Sequence, residues 1–383
     1  MKFAAVRRIL FQVHMWVGLV LGVLFVAVSL SGAILVYDDK LTAWIDPSPQ
    51  AVTGGLRLPL VFLANAARGA VQAPDDAPVQ LLLPAEPGEA AMVRLEGKSR
   101  AVPASLEKPV NLLVYVDPPS GQVLDVRADG RLPVFQWLHQ FHGSLKLGRD
   151  VGRPIVGWVG VGMVLLGLSG LVLWWPKRGQ WKYAFLVRRT ATGLRFHREL
   201  HAAAGIWMFV AFMAVSFSGV AISFPQVMRA VVGAGTPAPM PKIEPVAGAK
   251  PIVPDAALLI AQKQMPDAQV RSVTIPAGPT EAYAVAFASR FGTTATVYIN
   301  PYTSGVIAVR DLANNGGGDS FMALQRPMHD GQGNLGAVWE FLVFLAGLVP
   351  LLFVITGTIM WLKKRKRRIP MTTLTEDVAE DAA

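Results

Sequence analysis

The chain contains no cysteine, which removes disulfides, thiolate metal sites, iron–sulfur clusters and covalent haem attachment through C-x-x-C-H in one step. Charge is also scarce: Asp, Glu, Lys and Arg make up 16% of the residues, against 52% hydrophobic ones. That balance is too apolar for an ordinary soluble protein and makes lipid the natural solvent for the excess. There is no P-loop, no Ser/His/Asp elbow and no pair of carboxylates in a credible hydrolase setting. Gly160, Gly162 and Gly167 lie inside an apolar run with no strand before it, so they do not form a dinucleotide fingerprint. Any metal or cofactor must therefore be held by His, Met or oxygen ligands.

Four apolar stretches account for the hydrophobic excess: Ile9 to Tyr37, Pro154 to Trp175, His201 to Phe224 and Ala337 to Leu362. Each approaches or exceeds the ~20 residues that cross a hydrocarbon core. Basic residues cluster where a four-span protein with its N-terminus inside should carry them: Lys2, Arg7 and Arg8 before the first span, Lys177 to Arg198 between the second and third, and Lys363 to Arg368 after the fourth. The net charge of +10 thus describes a membrane surface, and a stop-transfer cluster explains the last run without nucleic acid. The first span has the basic start of a secretory signal, but its apolar run is longer than a signal core and no A-x-A-like site follows, so it is expected to stay attached. The expected location is an inner membrane, with both termini in the cytoplasm and two sizeable loops outside; the resemblance set out below implies that the membrane is bacterial and the loops periplasmic.

An internal repeat organises the chain. His14 and His201 are 187 positions apart, and the same offset carries Ser29, Ser31 and Gly32 onto Ser216, Ser218 and Gly219. It also carries His142 onto His329, Gly170 onto Gly357 and Trp174 onto Trp361. Four spans are then two copies of one hairpin, inserted in the same direction as a parallel repeat about an axis along the membrane normal. The expected fold is a membrane α-helical protein with two small α+β periplasmic domains. Its segments are a first span (1–37), a periplasmic domain (38–133), an interfacial helix with the second span (134–176), a cytoplasmic link (177–198), a third span (199–224), a second periplasmic domain (225–326), a fourth span (327–362) and a basic, then disordered acidic tail (363–383). Within the domains, Leu112 to Asp125 and Thr296 to Arg310 read as strand, turn, strand, Ala256 to Gln264 as a helix, and Val270 to Ile275 and Ala282 to Ala288 as strands.

All six histidines lie at the ends of the spans. His14 and His201 form one matched pair and His142 and His329 another, while His139 and His197 have Arg326 and Leu10 at the corresponding places. A histidine near hydrocarbon needs partners for both nitrogens, which marks it as a functional candidate. Imidazoles from the two halves would point at one another across the bundle, an arrangement suited to bis-histidine axial ligation of non-covalent b-type haem, probed once near each membrane face. Zinc is the main competitor, but it usually takes three or four ligands. Gly18, Gly22 and Gly205 clear one helix face near the first pair, either for a macrocycle or for helix packing. His197 and His201, four residues apart, share a helix face, so either can serve as the ligand. Lys146, Arg149 and Arg153 suit haem propionates, an anionic substrate or simple solvation at the interface, and the tryptophans beside the spans suit interfacial anchoring.

Several segments carry a resemblance: H-x-W-x-G at His14, Trp16 and Gly18; L-H-Q-F-H-G-S-L-K-L-G from Leu138 to Gly148; S-G-L-V-L-W-W-P from Ser169 to Pro176; and M-H-D-G-x-G-x-L-G from Met328 to Gly336. Together with the V-Y-V-D-P-P-S-G and V-Y-I-N-P-Y-T-S-G turns, which resemble the PepSY domain, this set is similar to the PepSY-associated transmembrane family. The resemblance covers nearly the whole chain, although 38–133 matches the PepSY pattern less well than the second outer segment. It implies iron-regulated inner-membrane proteins, some similar to haem-containing ferrisiderophore reductases. For this chain it implies haem ligands among His14, His142, His201 and His329, with His139 and His197 in reserve. The expected activity is transfer of electrons from a quinol or a cytoplasmic donor, through two haems b, to a periplasmic ferric siderophore or other ferric chelate. A non-enzymatic PepSY ligand- or partner-binding protein and a histidine-based metal permease are the alternatives.

Overall fold

The structure, a computed structural model, describes residues 2–366 apart from 75–76, 85, 87, 247 and 333–335. The acidic tail, the Arg367–Arg368 end of the basic run and part of the Asp330–Gly336 loop lie outside the described residues. In chain order the helices are α1 (Lys2–Val20), α2 (Gly22–Leu35), α3 (Asp38–Ile45), α4 (Leu60–Ala70), α5 (Pro133–Ser144), α6 (Gly148–Trp174), α7 (Trp181–Ala184), α8 (Gly193–Ser223), α9 (Pro225–Val232), α10 (Pro254–Gln264), α11 (Gly317–Asp330) and α12 (Gly336–Lys366). The strands are β1 (Val79–Leu82), β2 (Ala91–Gly97), β3 (Val110–Val116) and β4 (Val123–Ala128), then β5 (Val270–Ile275), β6 (Tyr283–Ala288), β7 (Thr294–Ile299) and β8 (Val306–Arg310). The chain divides into a helical unit (1–37, 137–225 and 328 onward) and a sheet unit (38–136 and 226–327).

In the helical unit, α6, α8 and α12 are long and apolar enough to cross a membrane. The first span departs from the single helix expected: Ala4–Val20 and Gly22–Leu35 meet at a bend of 66°, giving three spans, or four if the bent pair counts as one. Gly22, just after the bend, lies close against α12: a Cβ there would be 2.8 Å from Val354 Cγ2, a contact that glycine admits. Hydrogen bonding runs through the bend, from Leu21 N to Val17 O and from Phe25 N to Leu21 O. α6 and α12 flank α8 on either side, and α1 packs against both α6 and α12, which puts α1 and α8 at opposite corners. Glycines on α6 let α8 approach: a Cβ on Gly157 would meet the Phe224 ring at 2.4 Å, and one on Gly167 would meet Met213 Sδ at 2.5 Å. Gly160 and Gly167, with no role as a dinucleotide fingerprint, are helix-packing residues.

The two segments read as separate small domains share one compact unit and one antiparallel sheet, in the order β4-β3-β2-β1-β5-β6-β7-β8. The joint is the β1–β5 pair, with Val79 opposite Ile275 and Leu82 opposite Ser272. Adjacent chain segments suggest local domains, whereas pairing of two exposed β edges removes an unpaired ladder from each copy. The strands and helices within the segments follow the expected positions. Alternation buries every second residue of β2 and β6 against α4 and α10, and Leu60, Leu63, Leu81, Val93, Leu112, Val285, Phe287 and Ile299 make the core. Asp255 binds the two halves further, accepting from Leu60 N at 2.7 Å and pairing with Arg57 at 3.3 Å.

The D-P-P-S-G and N-P-Y-T-S-G turns are built on their first residue. Asn300 Oδ1 accepts from Tyr302 N (2.8 Å) and Thr303 N (3.2 Å). Asp117, fully buried, accepts from Val52 N (2.9 Å), Thr53 N (3.4 Å) and Ser120 N (3.3 Å), and from the Thr53 and Ser120 hydroxyls. Burial opposes its charge, but the hydrogen bonds from Ser120 and Thr53 and the Val52 amide outweigh it and hold the carboxyl at about 2. Replacing Asp117 by Ala strands several donors and should cost about 1–3 kcal/mol, read as a lower denaturation midpoint of the purified protein. Because folding depresses this pKa, its stabilisation is complete at neutral pH, declines below the ordinary carboxylate range at about 4 and is lost as pH falls through about 2. The Asp117→Asn variant should therefore narrow its stability gap to wild type over that interval, and a gap that stays constant would count against the assignment.

Candidate functional site

The four matched histidines come together as two pairs at opposite ends of the helical unit. His14 of α1 and His201 of α8 have ring centres 6.3 Å apart with planes at 68°. His142 of α5 and His329 of α11 have ring centres 5.8 Å apart with planes at 43°. The second pair precedes its spans in the chain, yet the rings reach into the bundle because the short helices fold back. α5 is followed by Leu145 and Lys146 at φ 50° and 63°, and its last turn lies directly on α6, where a Cβ on Gly152 would overlap Ser144 O. Only glycine permits that contact.

Each ring is held through Nδ1. His14 Nδ1 bonds Ser169 Oγ at 2.9 Å, and His201 Nδ1 bonds Thr356 Oγ1 at 2.8 Å. Both hydroxyls already donate to helix carbonyls, Leu166 O and Leu352 O, so they accept from the imidazoles. His142 Nδ1 donates to Val28 O at 2.8 Å and His329 Nδ1 to Val215 O at 2.9 Å, with the Ser31 and Ser218 hydroxyls beside them at 3.4 and 3.2 Å. A carbonyl can only accept. All four rings therefore carry the proton on Nδ1, and Nε2 carries the lone pair that binds a metal.

The surroundings are cut to the rings. A Cβ on Gly32 would lie 2.6 Å from His142 Cε1, and one on Gly219 would lie 3.0 Å from His329 Cε1. The Ser-x-Ser-Gly boxes are thus the seats of the second pair, on α2 and α8. Gly170 approaches His14 at 3.4 Å on the same measure, while Gly18 faces open space and Gly22 serves packing against α12. Ser169 and Thr356, which hold the first pair, stand at the same 187 offset as the histidines. The repeat was the signal that could have found them.

Other candidates stand apart from the pairs. His139 is exposed, one turn before His142, and His197, half-buried, lies one turn before His201 beside Phe196. Arg153 donates to Ile222 O near the end of α8, and Lys146 Nζ bonds Gln140 Oε1 at 2.7 Å. The start of α8 is anchored by buried Glu199, which accepts from Arg188 Nη2 at 2.5 Å and Arg195 Nε at 2.9 Å. Among the described residues no group of three or more His, Cys, Asp or Glu side chains is placed to hold a metal ion, so the donor set of a zinc site is not assembled.

Two opposed imidazoles ask for a different guest. Metal–imidazole bonds of about 2 Å, plus about 1 Å from ring centre to nitrogen, separate ring centres by about 6 Å across a shared metal. Both pairs match that spacing with Nε2 left free of the Nδ1 hydrogen bonds, and among the described residues no third His, Cys, Asp or Glu joins either pair; such a two-imidazole donor set is one that could hold a planar tetrapyrrole.

Comparison with known proteins bears on the same residues. The family model described as PepSY-associated TM region matches residues 11–364. No curated protein matches significantly. Among solved structures, one described as a lipoprotein from Clostridium difficile 630 covers 67% of this chain and 95% of its own at 9% identity. Its TM-score of 0.26 is too low to bear on the fold.

Histidine-selective 15N spectra of the protein in lipid nanodiscs should show the Nδ1–H tautomer for the buried imidazoles. Ser169→Ala and Thr356→Val should each mix tautomers at one ring and cost about 1–3 kcal/mol for the orphaned N–H. Spectra of the wild type dominated by Nε2–H would refute the arrangement.

Proposed function

This chain belongs to the PepSY-associated transmembrane family, and we propose that it is an inner-membrane haem b reductase that passes electrons across the membrane to a periplasmic ferric siderophore. The observation that carries the reading is the meeting of both histidine pairs with every Nδ1 engaged as a donor. Haem supplies one-electron chemistry when bound. His14 and His201 would hold one group and His142 and His329 the other, with His139 and His197 outside the ligand sets.

The chain's own residues do the rest. Ser169, Thr356 and the Val28 and Val215 carbonyls orient the rings, fix the tautomer and raise the basicity of Nε2. The apolar helices keep water from the centres and set a low local dielectric. The two pairs are offset by roughly 20 Å along α8 at ~1.5 Å per residue, which takes most of a ~30 Å hydrocarbon core. The useful outcome is iron release: hard oxygen ligands favour ferric iron, and the softer ferrous ion is held weakly. Electrons would enter from quinol or a cytoplasmic donor, and lipid surrounds the spans.

Purified protein should show a Soret band and α/β bands that sharpen with dithionite, and His14→Ala and His329→Ala should each remove part of the haem. Gly32→Ala should also lower haem content by displacing His142, whereas Gly18→Ala should not. A colourless wild type, or full haem in all four single histidine variants, would return the chain to a ligand-binding anchor or a metal permease. For the substrate, anaerobic reoxidation of the dithionite-reduced protein should accelerate with at least one member of a panel of ferric siderophores. No acceleration with any chelate would reject the reductase activity.

A further inference from the structure

Aromatic and aliphatic side chains pack in series from the first histidine pair into the bundle. The His201 ring lies against Phe353 of α12, with centres 4.7 Å apart and planes at 37°. Phe353 meets Phe212 of α8 edge to face at 6.4 Å. Phe212 in turn packs on the buried cluster of Phe25, Val28, Val159 and Met163, and Val28 is the residue whose carbonyl holds His142. The series thus runs from His201 through Phe353 and Phe212 to the cluster holding Phe25 and Val28, and ends in the hydrogen bond between Val28 O and His142.

The glycines of the neighbouring helices are shaped to these rings. A Cβ on Gly162 would lie 3.1 Å from Phe25 Cζ, one on Gly167 would lie 3.5 Å from Phe212 Cε1, and one on Gly205 would lie 3.8 Å from Phe353 Cζ. Phe25 and Phe212 occupy equivalent positions of the repeat, and Phe212 packs against the cluster that contains Phe25. Phe353 breaks the symmetry, because the other half carries Leu166 at that place. The ring therefore stands on the His201 side alone.

We propose that Phe353, Phe212 and Phe25 form the bridge through which electrons pass between the two centres, and that they are positioning residues for this transfer. The inference rests on the haem reading above. With haem bound, His14 and His201 would hold the donor group and His142 and His329 the acceptor; one electron would pass from the first, which would be oxidised, to the second, which would be reduced, with no bond or proton in the phenylalanines changing. Electronic coupling decays faster across voids than across packed atoms, and cores at crystal-like density leave few voids. Rings in contact supply large, polarisable, gap-filling surfaces. Phe25, at 3% exposure, keeps water out of the same route.

The test uses full-length, haem-loaded protein in nanodiscs. After rapid reduction of one centre, the spectral change of the second is followed in wild type, Phe353→Leu, Phe212→Leu and Phe344→Leu. Leucine already stands at the matching position of the other half, so Phe353→Leu is expected to fold. Phe344, which meets Tyr37 edge to face instead, is the control. The expected result is a severalfold loss of intersite rate in Phe353→Leu and Phe212→Leu, with haem content, midpoint potentials and the Phe344→Leu rate unchanged. Unchanged intersite rates in both bridge variants, with both centres filled, would overturn the bridge while leaving the haem reading intact. Absence of haem from the wild type would instead remove the reading on which the bridge depends, and the bridge with it.

Discussion

The hydrogen bond donated by each imidazole Nδ1 to a helix carbonyl or a carbonyl-bound hydroxyl is the constraint around which the helical unit is arranged. A neutral imidazole in hydrocarbon has one donor and one acceptor, and neither can be left to water. Satisfying the donor through Nδ1 leaves Nε2 free on a ring whose centre lies about 6 Å from that of its partner. The Ser-Gly seats on α2 and α8, the hydroxyls on α6 and α12, and the fold-back of α5 and α11 all serve that orientation.

Duplication supplies two of everything, and the departures from symmetry are informative. The first pair is seated on side-chain hydroxyls and the second on backbone carbonyls. Carbonyl acceptors cannot be removed by substitution, so the second pair's orientation is written into the helix backbone. In the sheet unit the copies fuse through β1 and β5, and both edge strands are tied down alike: Arg127 covers Tyr115 and binds Pro47 O, while Arg310 covers Tyr298 and binds Pro239 O.

Much of this was legible because membranes and repeats impose one-dimensional rules. Hydropathy located α6, α8 and α12, and strand alternation located β3 to β8, since burial acts on each residue in turn. The turns at Asp117 and Asn300 follow from local side-chain bonding. Less visible were the bend at Leu21, where Gly22 lies against Val354 more than three hundred positions away, and the single sheet, which joins edge strands from the two halves of the chain. Ser169 and Thr356 were visible in principle, but a lone hydroxyl in a span reads as helix-capping until a ring is placed against it.

By itself the sequence determined the family, the apolar spans, the duplication and the pairing of histidines by position, because composition and periodicity are properties of the chain. Tertiary structure alone decided that the histidine rings come together in pairs, that Nδ1 is the protonated nitrogen, that two outer segments make one sheet, and that Phe353 and Phe212 pack on from the His201 ring. Those outcomes are set by distances between residues remote in the chain, where a few tenths of an ångström separate a hydrogen bond from a gap.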